Sequence, residues 1–263
     1  MEKVFGKPLS YTGLPTDFCP GCGHGIVLRL VSEVLEELEI VDRTICVLPV
    51  GCGGYVSFDL GYDNVKALHG RAPAVATAIK RLRPENLVFT YQGDGDLAAE
   101  GMSEIVHAVA RGEKFSVVFV NNATYGETGG QMGPTTLLGQ KSSTYPLGRD
   151  SNKAGFPIKV AELLASLAAQ SGLNPAYIVR RAVNNPQNTL KTRDAIRKSF
   201  QFQLEEKGFS LVEILSPCPP NWGLGPIQSM KWIEEKMTAY YPLGDFSFPD
   251  SEPKAAIDKE NCR

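Results

Sequence analysis

Apolar positions along the chain fall into two patterns that take turns. Between His24 and Leu38 they recur every three or four residues, with Ile26, Leu28, Leu30, Val31, Val34, Leu35 and Leu38 forming one stripe of an amphipathic helix. Between Ile45 and Val50 they form a short unbroken run that ends in Gly51-Cys52-Gly53-Gly54, the signature of a buried strand entering a loop. The exchange continues with a strand at Val65 to Leu68 that ends in His69-Gly70-Arg71, and a helix from Pro73 to Leu82 with proline in its first turn. A strand at Leu87 to Tyr91, a helix from Leu97 to Arg111 and a strand at Phe115 to Val120 come next. Residues 123–158 are rich in Gly, Thr, Pro and Ser and read as a long functional loop rather than packed structure. A helix over Val160 to Ala169, a strand over Tyr177 to Val183, a helix over Thr189 to Glu206 and a strand over Ser210 to Leu215 follow. An amphipathic helix from Gln228 to Tyr240 precedes a polar tail. Repeated strand–helix alternation predicts an α/β fold: a doubly wound, mostly parallel sheet with helices on both faces. No repeat, low-complexity stretch or composition break divides the chain, so 1–263 reads as one domain with an N-terminal CxxC segment and a C-terminal helical extension.

Charge narrows the partners. Lys plus Arg number 27 against 29 Asp plus Glu, a net charge of −2, and no basic stripe marks a nucleic-acid surface. The small basic cluster Lys80-Arg81-Leu82-Arg83 reads as a solvated helix end. The apolar runs are too short to span a bilayer, and the first residues lack a signal-peptide core. A cytoplasmic protein with no membrane or nucleic-acid partner is expected. A chain of this length buries enough core to fold without disulfides, so its six cysteines point to metal or redox chemistry.

Two clusters carry that chemistry. Gly93-Asp94-Gly95-Asp96 closes one buried-type strand and Asn121-Asn122 closes the next, with a helix between them. A strand–helix–strand unit brings both loops to one end of a parallel sheet, where such folds bind ligands. The Asp94 carboxylate and an Asn122 amide oxygen are hard ligands suited to Mg²⁺, which favours one or two protein oxygens plus phosphate. Gly93 and Gly95 admit a close approach of backbone N–H groups to an anion. GDG alone is a common turn and NN a common loop; the whole string at this spacing reads as a diphosphate–Mg²⁺ site and resembles the thiamine diphosphate motif.

The second cluster is Cys19-Pro20-Gly21-Cys22. A CxxC turn alone is ambiguous between zinc, a redox disulfide and an iron–sulfur centre. Cys52 follows the first strand and Cys218 the last, at the same sheet end as the diphosphate loop, so a four-thiolate site from Cys19, Cys22, Cys52 and Cys218 is geometrically reasonable. Spacing does not separate zinc from iron. Cys46, inside an apolar strand, reads as a small buried hydrophobe, and Cys262, in the tail, as having no role.

CPGCGHG, VGCGGY, HGRAPAVATAIK, YQGDGDLA, NNATYGETGGQ and SPCPPNWG occur in this order across roughly residues 15 to 243. As a set they resemble the β subunit of 2-oxoacid:ferredoxin oxidoreductases. The resemblance implies the thiamine diphosphate-binding fold, with Mg²⁺ held by Asp94, the Asn122 side chain and the Thr124 carbonyl. It implies a [4Fe–4S] cluster on Cys19, Cys22, Cys52 and Cys218. Gly93, Gly95 and Asp96 would line the diphosphate loop, with Gly70, Cys52, Gly126 and Thr128 beside the cofactor. Gly129, Gly130 and Gln131 would belong to a flanking loop, which reads equally as a subunit contact. His69 and Arg71 would face the diphosphate or the substrate carboxylate as catalytic groups, although His69 alone reads as a loop histidine bonded to backbone.

The implied activity is CoA-dependent oxidative decarboxylation of a 2-oxoacid, branched-chain or 2-oxoglutarate, to acyl-CoA and CO₂, with electrons passed through the cluster to ferredoxin. The glutamate on the pyrimidine side of thiamine would come from a separate α subunit, further clusters from γ or δ subunits, and the chain alone would be inactive. Two other readings compete. A non-redox thiamine-dependent decarboxylase or carboligase subunit leaves the cysteines idle, and a zinc-stabilised binding module leaves the Asp94–Asn122 pair idle.

Overall fold

A computed structural model of the protein describes residues 6–12, 16–58, 60–171 and 176–247; Cys262 lies outside the described residues. Among the described residues, seven strands form one sheet: β1 (Thr44–Leu48), β2 (Asp63–Lys66), β3 (Leu87–Gly93), β4 (Ser116–Asn121), β5 (Ala176–Ala182), β6 (Phe209–Leu215) and β7 (Gly244–Ser247). They lie in the order β2-β1-β3-β4-β6-β5-β7. All neighbours are parallel except β7, which runs antiparallel to β5 along the edge. The helices are α1 (His24–Glu37), α2 (Ala72–Leu82), α3 (Met102–Ala110), α4 (Ser151–Ala154), α5 (Val160–Ser171), α6 (Pro186–Leu204), α7 (Pro219–Trp222), α8 (Pro226–Trp232) and α9 (Thr238–Tyr240). The expected doubly wound α/β architecture is what the chain adopts.

Side chains alternate across the strands, and both faces are covered. Phe89, Tyr91, Val118, Val120, Val212 and Ile214 point into one core with α1 and α6. Val88, Val117, Phe119 and Leu211 point into the other with α2, α3 and α5. Burial on both sides explains why β3, β4 and β6 read as unbroken apolar runs. Cys46 is buried in the first core, among aliphatic and aromatic neighbours.

Four expectations need correcting. The second strand lies at Asp63–Lys66 rather than Val65 to Leu68. It is a mostly exposed edge, so burial left no apolar signature, and Leu68 itself is exposed. The helix after β3 opens with a π turn over Asp96–Glu100, closed by the Gly101 N–H donating to the Asp96 carbonyl at 2.9 Å. Gly70 and Gly101 face each other there, and a Cβ on Gly101 would lie 2.8 Å from the Gly70 carbonyl oxygen. Lys80 is buried, not solvated; its ammonium donates to the carbonyls of Pro84 and Asn86, both at 2.7 Å, and closes the turn after α2. The stretch from 123 to 158 is irregular as expected, yet it is packed. Arg149, nearly buried, donates to six carbonyls, those of Gly133, Pro134, Thr136, Ala154, Gly155 and Phe156, at 2.7 to 3.3 Å.

That packed loop and the C-terminal helices meet in a third core around Leu137, Ile233, Met237 and Tyr241, over the carboxyl ends of the strands. A second device absent from the motifs sits below it. Arg180 on β5 and Glu213 on β6 are register partners, both fully buried and paired at 2.9 Å. Among the described residues no helix is long and apolar enough to cross a membrane.

Candidate functional site

β3 and β4 are hydrogen-bonded neighbours with Gly93 opposite Val120, so Asp94 and Asn122 emerge side by side at the sheet's carboxyl end. Asp94 is 2% exposed. Burial pushes its carboxyl up to about 7, against hydrogen bonds from the Thr135 hydroxyl and the Gly95 N–H. The Asn122 side-chain oxygen accepts from the Thr124 N–H at 3.3 Å and also faces two further acceptors, Oδ1 of Asp94 and the carbonyl of Thr124. Turned over, the amide would place its nitrogen 2.7 Å from the Thr124 oxygen and 3.3 Å from Asp94. Mg²⁺–oxygen bonds of about 2.1 Å set neighbouring octahedral ligands about 3 Å apart. The two spacings bracket that value, so Asp94, Asn122 and the Thr124 carbonyl fit the three protein ligands of a magnesium ion. The turn that aims them is held from below. Ala123 takes the left-handed conformation (φ 55°), its N–H donates to Asn121 Oδ1 at 3.1 Å, and the Asn121 amide donates to buried Glu213 at 2.8 Å.

The surrounding cleft is lined by Gly51, Cys52, His69, Gly93, Gly95, Asp96, Gly126 and Thr128, among others. Gly93 leaves open space where a side chain would stand. Asp96 lies in the cleft, but both its oxygens are occupied by the protein: Oδ1 accepts from the N–H of Gly70 (2.9 Å) and of Val50 (3.4 Å), and Oδ2 from Gln92 (2.6 Å). It braces the ends of three neighbouring segments. His69 Nδ1 lies 3.4 Å from Asp96 and 3.5 Å from Glu100. Arg71 points elsewhere, in an ion pair with Glu104 on α3, and is not among the residues that line the cleft. Gln131 is engaged in its own turn, exchanging hydrogen bonds with Thr128, while Gly129 and Gly130 supply positive φ.

The four cysteines reach one cavity from three places. The Cys19–Cys22 turn closes with a 3.0 Å hydrogen bond and leads into α1; Cys52 follows β1 and Cys218 follows β6. With Asp17, Tyr55, Pro219 and Asn221 they line a cavity of about 150 Å³. Gly126 fits between them because it has no side chain: a Cβ there would lie 3.3 Å from Cys52 Sγ and 3.7 Å from Cys218 Sγ. Burial pushes the Cys22 thiol up to about 11 and, with help from Cys218, that of Cys52 up to about 12. Burial also raises Cys218, opposed by the side-chain and backbone N–H groups of Asn221. The two cavities share a wall of His24, Cys52, Asn122, Gly126 and Glu127. His24, which no motif argument singled out, is buried, bonds Tyr91 at 2.7 Å and is held neutral, its pKa lowered to about 4 by burial. Thr135 and Trp222 were also missed, because only the folded loop brings them to Asp94 and to the Asn122 carbonyl, the latter at 3.1 Å.

The described "Thiamine pyrophosphate enzyme, C-terminal TPP binding domain" matches residues 58–214. Ketoisovalerate oxidoreductase subunit VorA of Methanothermobacter marburgensis is 41% identical over 263 residues, 99% of this chain and 54% of that protein. The chain thus spans about half the length of such relatives. The 2-oxoglutarate synthase subunit KorB of Methanocaldococcus jannaschii is 36% identical over 250 residues, 93% of this chain and 86% of that one. A solved 2-oxoglutarate:ferredoxin oxidoreductase from Magnetococcus marinus, with 2-oxoglutarate, coenzyme A and succinyl-CoA bound, superposes with a TM-score of 0.74 at 26% identity, covering 88% of this chain and 74% of that one. Fold, matched domain and relatives agree that the chain belongs to the thiamine pyrophosphate-binding subunits of the 2-oxoacid:ferredoxin oxidoreductase family.

Proposed function

We propose that the chain is the cofactor-binding β subunit of an enzyme that oxidatively decarboxylates a 2-oxoacid to acyl-CoA and passes the electrons to ferredoxin. The observation that carries this reading is the shared wall: a magnesium-type oxygen trio and a four-thiol cavity lie back to back in one chain. Bound thiamine diphosphate supplies the electron sink for decarboxylation, and a [4Fe–4S] cluster accepts electrons singly. Asp94, Asn122 and the Thr124 carbonyl hold the magnesium. Gly93 presents an open backbone to the diphosphate, Gly95 is left without a side chain where the Tyr125 ring packs on it, and Asp96 keeps the loops that frame the site in place. Cys19, Cys22, Cys52 and Cys218 hold the cluster. A zinc ion, with Zn–S bonds of about 2.3 Å, would draw four sulfurs round one point. The cavity of about 150 Å³ that they line with neighbouring residues has room for a group larger than one ion. Neutral His24 forms part of the wall between the two sites.

His69 is the chain's own candidate for handling a proton in the cleft, flanked by two carboxylates. The remaining wall, with the pyrimidine-side glutamate, comes from an α subunit, so the chain alone is inactive. A branched-chain 2-oxoacid is the favoured substrate, because identity to the ketoisovalerate subunit exceeds that to the 2-oxoglutarate subunit. The test is a panel of 2-oxoisovalerate, 2-oxoglutarate and pyruvate with the reconstituted complex, scoring CoA-dependent reduction of ferredoxin or a viologen dye. Reduction that requires CoA and prefers 2-oxoisovalerate supports the reading. Robust turnover by the isolated chain, or none by the complex with any of the three, overturns it.

A further inference from the structure

Asn221 belongs to neither sequence cluster, yet it touches both sites. It lies in α7, three residues beyond Cys218. Its amide nitrogen is 2.8 Å from the Gly126 carbonyl oxygen and 3.3 Å from Cys218 Sγ. An amide NH₂ carries two hydrogens, so it makes both contacts at once. Chemistry fixes its orientation: turned over, its oxygen would face the Gly126 carbonyl with no proton between them. The contact to the cysteine is therefore N–H···S.

The loop that supplies Gly126 also supplies Asn122 and Thr124, and it closes onto Asn221 at Gly130. There φ is 77°, and a Cβ would lie 3.0 Å from Asn221 Oδ1. The neighbouring Trp222 pins the same loop through the Asn122 carbonyl. The short helix that follows Cys218 is thus fastened to the cofactor loop at two points.

An N–H that donates to a cluster-ligating thiolate draws negative charge from the sulfur and favours the reduced, more negative cluster. We propose that Asn221 sets the reduction potential of the cluster held by Cys19, Cys22, Cys52 and Cys218 through its N–H···S contact to Cys218, while its second N–H fixes that cluster against the cofactor loop. The inference rests on the reading of the cysteine cavity as a [4Fe–4S] site. In the step concerned, an external reductant, dithionite in the test, gives one electron to the oxidised cluster. No bond to Asn221 forms or breaks, and its hydrogens stay on the amide nitrogen.

The test is a redox titration of the full chain, reconstituted anaerobically with iron and sulfide and followed by electron paramagnetic resonance. Asn221→Leu keeps the bulk and removes both side-chain donors, while the backbone N–H to Cys218 stays. With iron and sulfide per chain as in the wild type, its midpoint falls. At the wild-type midpoint the reduced-to-oxidised ratio drops about tenfold, equivalent to about 59 mV for one electron. Asn221→Gln, which keeps two donors, returns toward the wild-type value. Trp222→Phe loosens the same helix without touching the sulfur and leaves the midpoint in place. An unchanged midpoint in Asn221→Leu, or an equal fall in Trp222→Phe, overturns the proposal. Should Asn221→Leu fail to load, Asn221→Asp, which replaces the donor by an acceptor, carries the same expectation and the same refutation. A wild-type chain that takes up zinc but no iron and sulfide overturns the reading of the cavity, and the inference with it, before any variant is compared.

Discussion

The oxygen trio and the thiol cavity share a wall but are held in different ways. Asp94, Asn122 and Thr124 follow adjacent strands of one sheet, and buried donors from Thr135, Gly95 and Trp222 fix their carboxylate and carbonyl groups. The four cysteines arrive from one turn and two strand ends, and burial keeps Cys22 and Cys52 as thiols at neutral pH. One region is organised before its ion arrives. The other must give up protons from thiols held well above neutral pH, whereas Asp94, held near 7, gives up at most one.

The strongest way to break this contrast is Cys218→Ala. Loss of one of four ligands should abolish broad visible absorbance and stoichiometric iron, while magnesium-dependent thiamine diphosphate binding, read by calorimetry, survives. Joint loss of both would show that the two regions form one folding unit. Asp94→Asn should do the reverse. Even outer partners of metal ligands are worth about 10–100-fold in affinity, so removing a direct ligand should weaken magnesium–cofactor binding by at least about 100-fold and leave iron content unchanged. The same substitution should raise the melting temperature of the cofactor-free chain at pH 8, because a buried charge is removed; each kcal/mol gained corresponds to about 2–4 °C.

Acidity separates the two regions further. The folded pKa of Asp94 lies above its unfolded value, near 3.8. Its contribution to stability is therefore full below about pH 4 and is lost as pH rises through about 7. Magnesium requires the ionised form, so affinity should fall about tenfold per pH unit below pH 7 and level off above it. Thermal shifts measured with magnesium and thiamine diphosphate at pH 6, 7 and 8 check this; a flat response would place the carboxylate in the ordinary range. The smallest effect is expected at the rim of the thiol cavity. Exposed Tyr55 bonds Glu127 there, which pushes its hydroxyl up to about 12. Tyr55→Phe should change melting by less than about 0.5 kcal/mol and leave iron content intact.

Much of this was legible because it is local. Buried strands followed by Gly-Asp-Gly-Asp and Asn-Asn identify themselves by run length and punctuation, and the parallel connection then dictates their proximity. The cysteines were legible for a similar reason, since Cys52 and Cys218 each follow a recognisable strand. Asn221, Trp222, Thr135 and His24 were not, because each acts through a partner far away in the chain. Lys80 misled because a lysine at a helix end is usually solvated, and only the fold shows the two carbonyls that hold it. The edge strands, mostly exposed β2 and half-buried β7, carry little apolar signal, so the first was misregistered and the second missed.

Arg149 has a consequence for how the loop over these sites behaves when metal is withdrawn. Its guanidinium gathers carbonyl oxygens from both sides of the segment, in the manner of a coordinated cation, but it is covalently tethered and always charged. A chelator has nothing to extract there. Treatment that strips magnesium should therefore leave a roofed, reloadable vestibule rather than a collapsed one, with recharging limited by the ion and not by refolding.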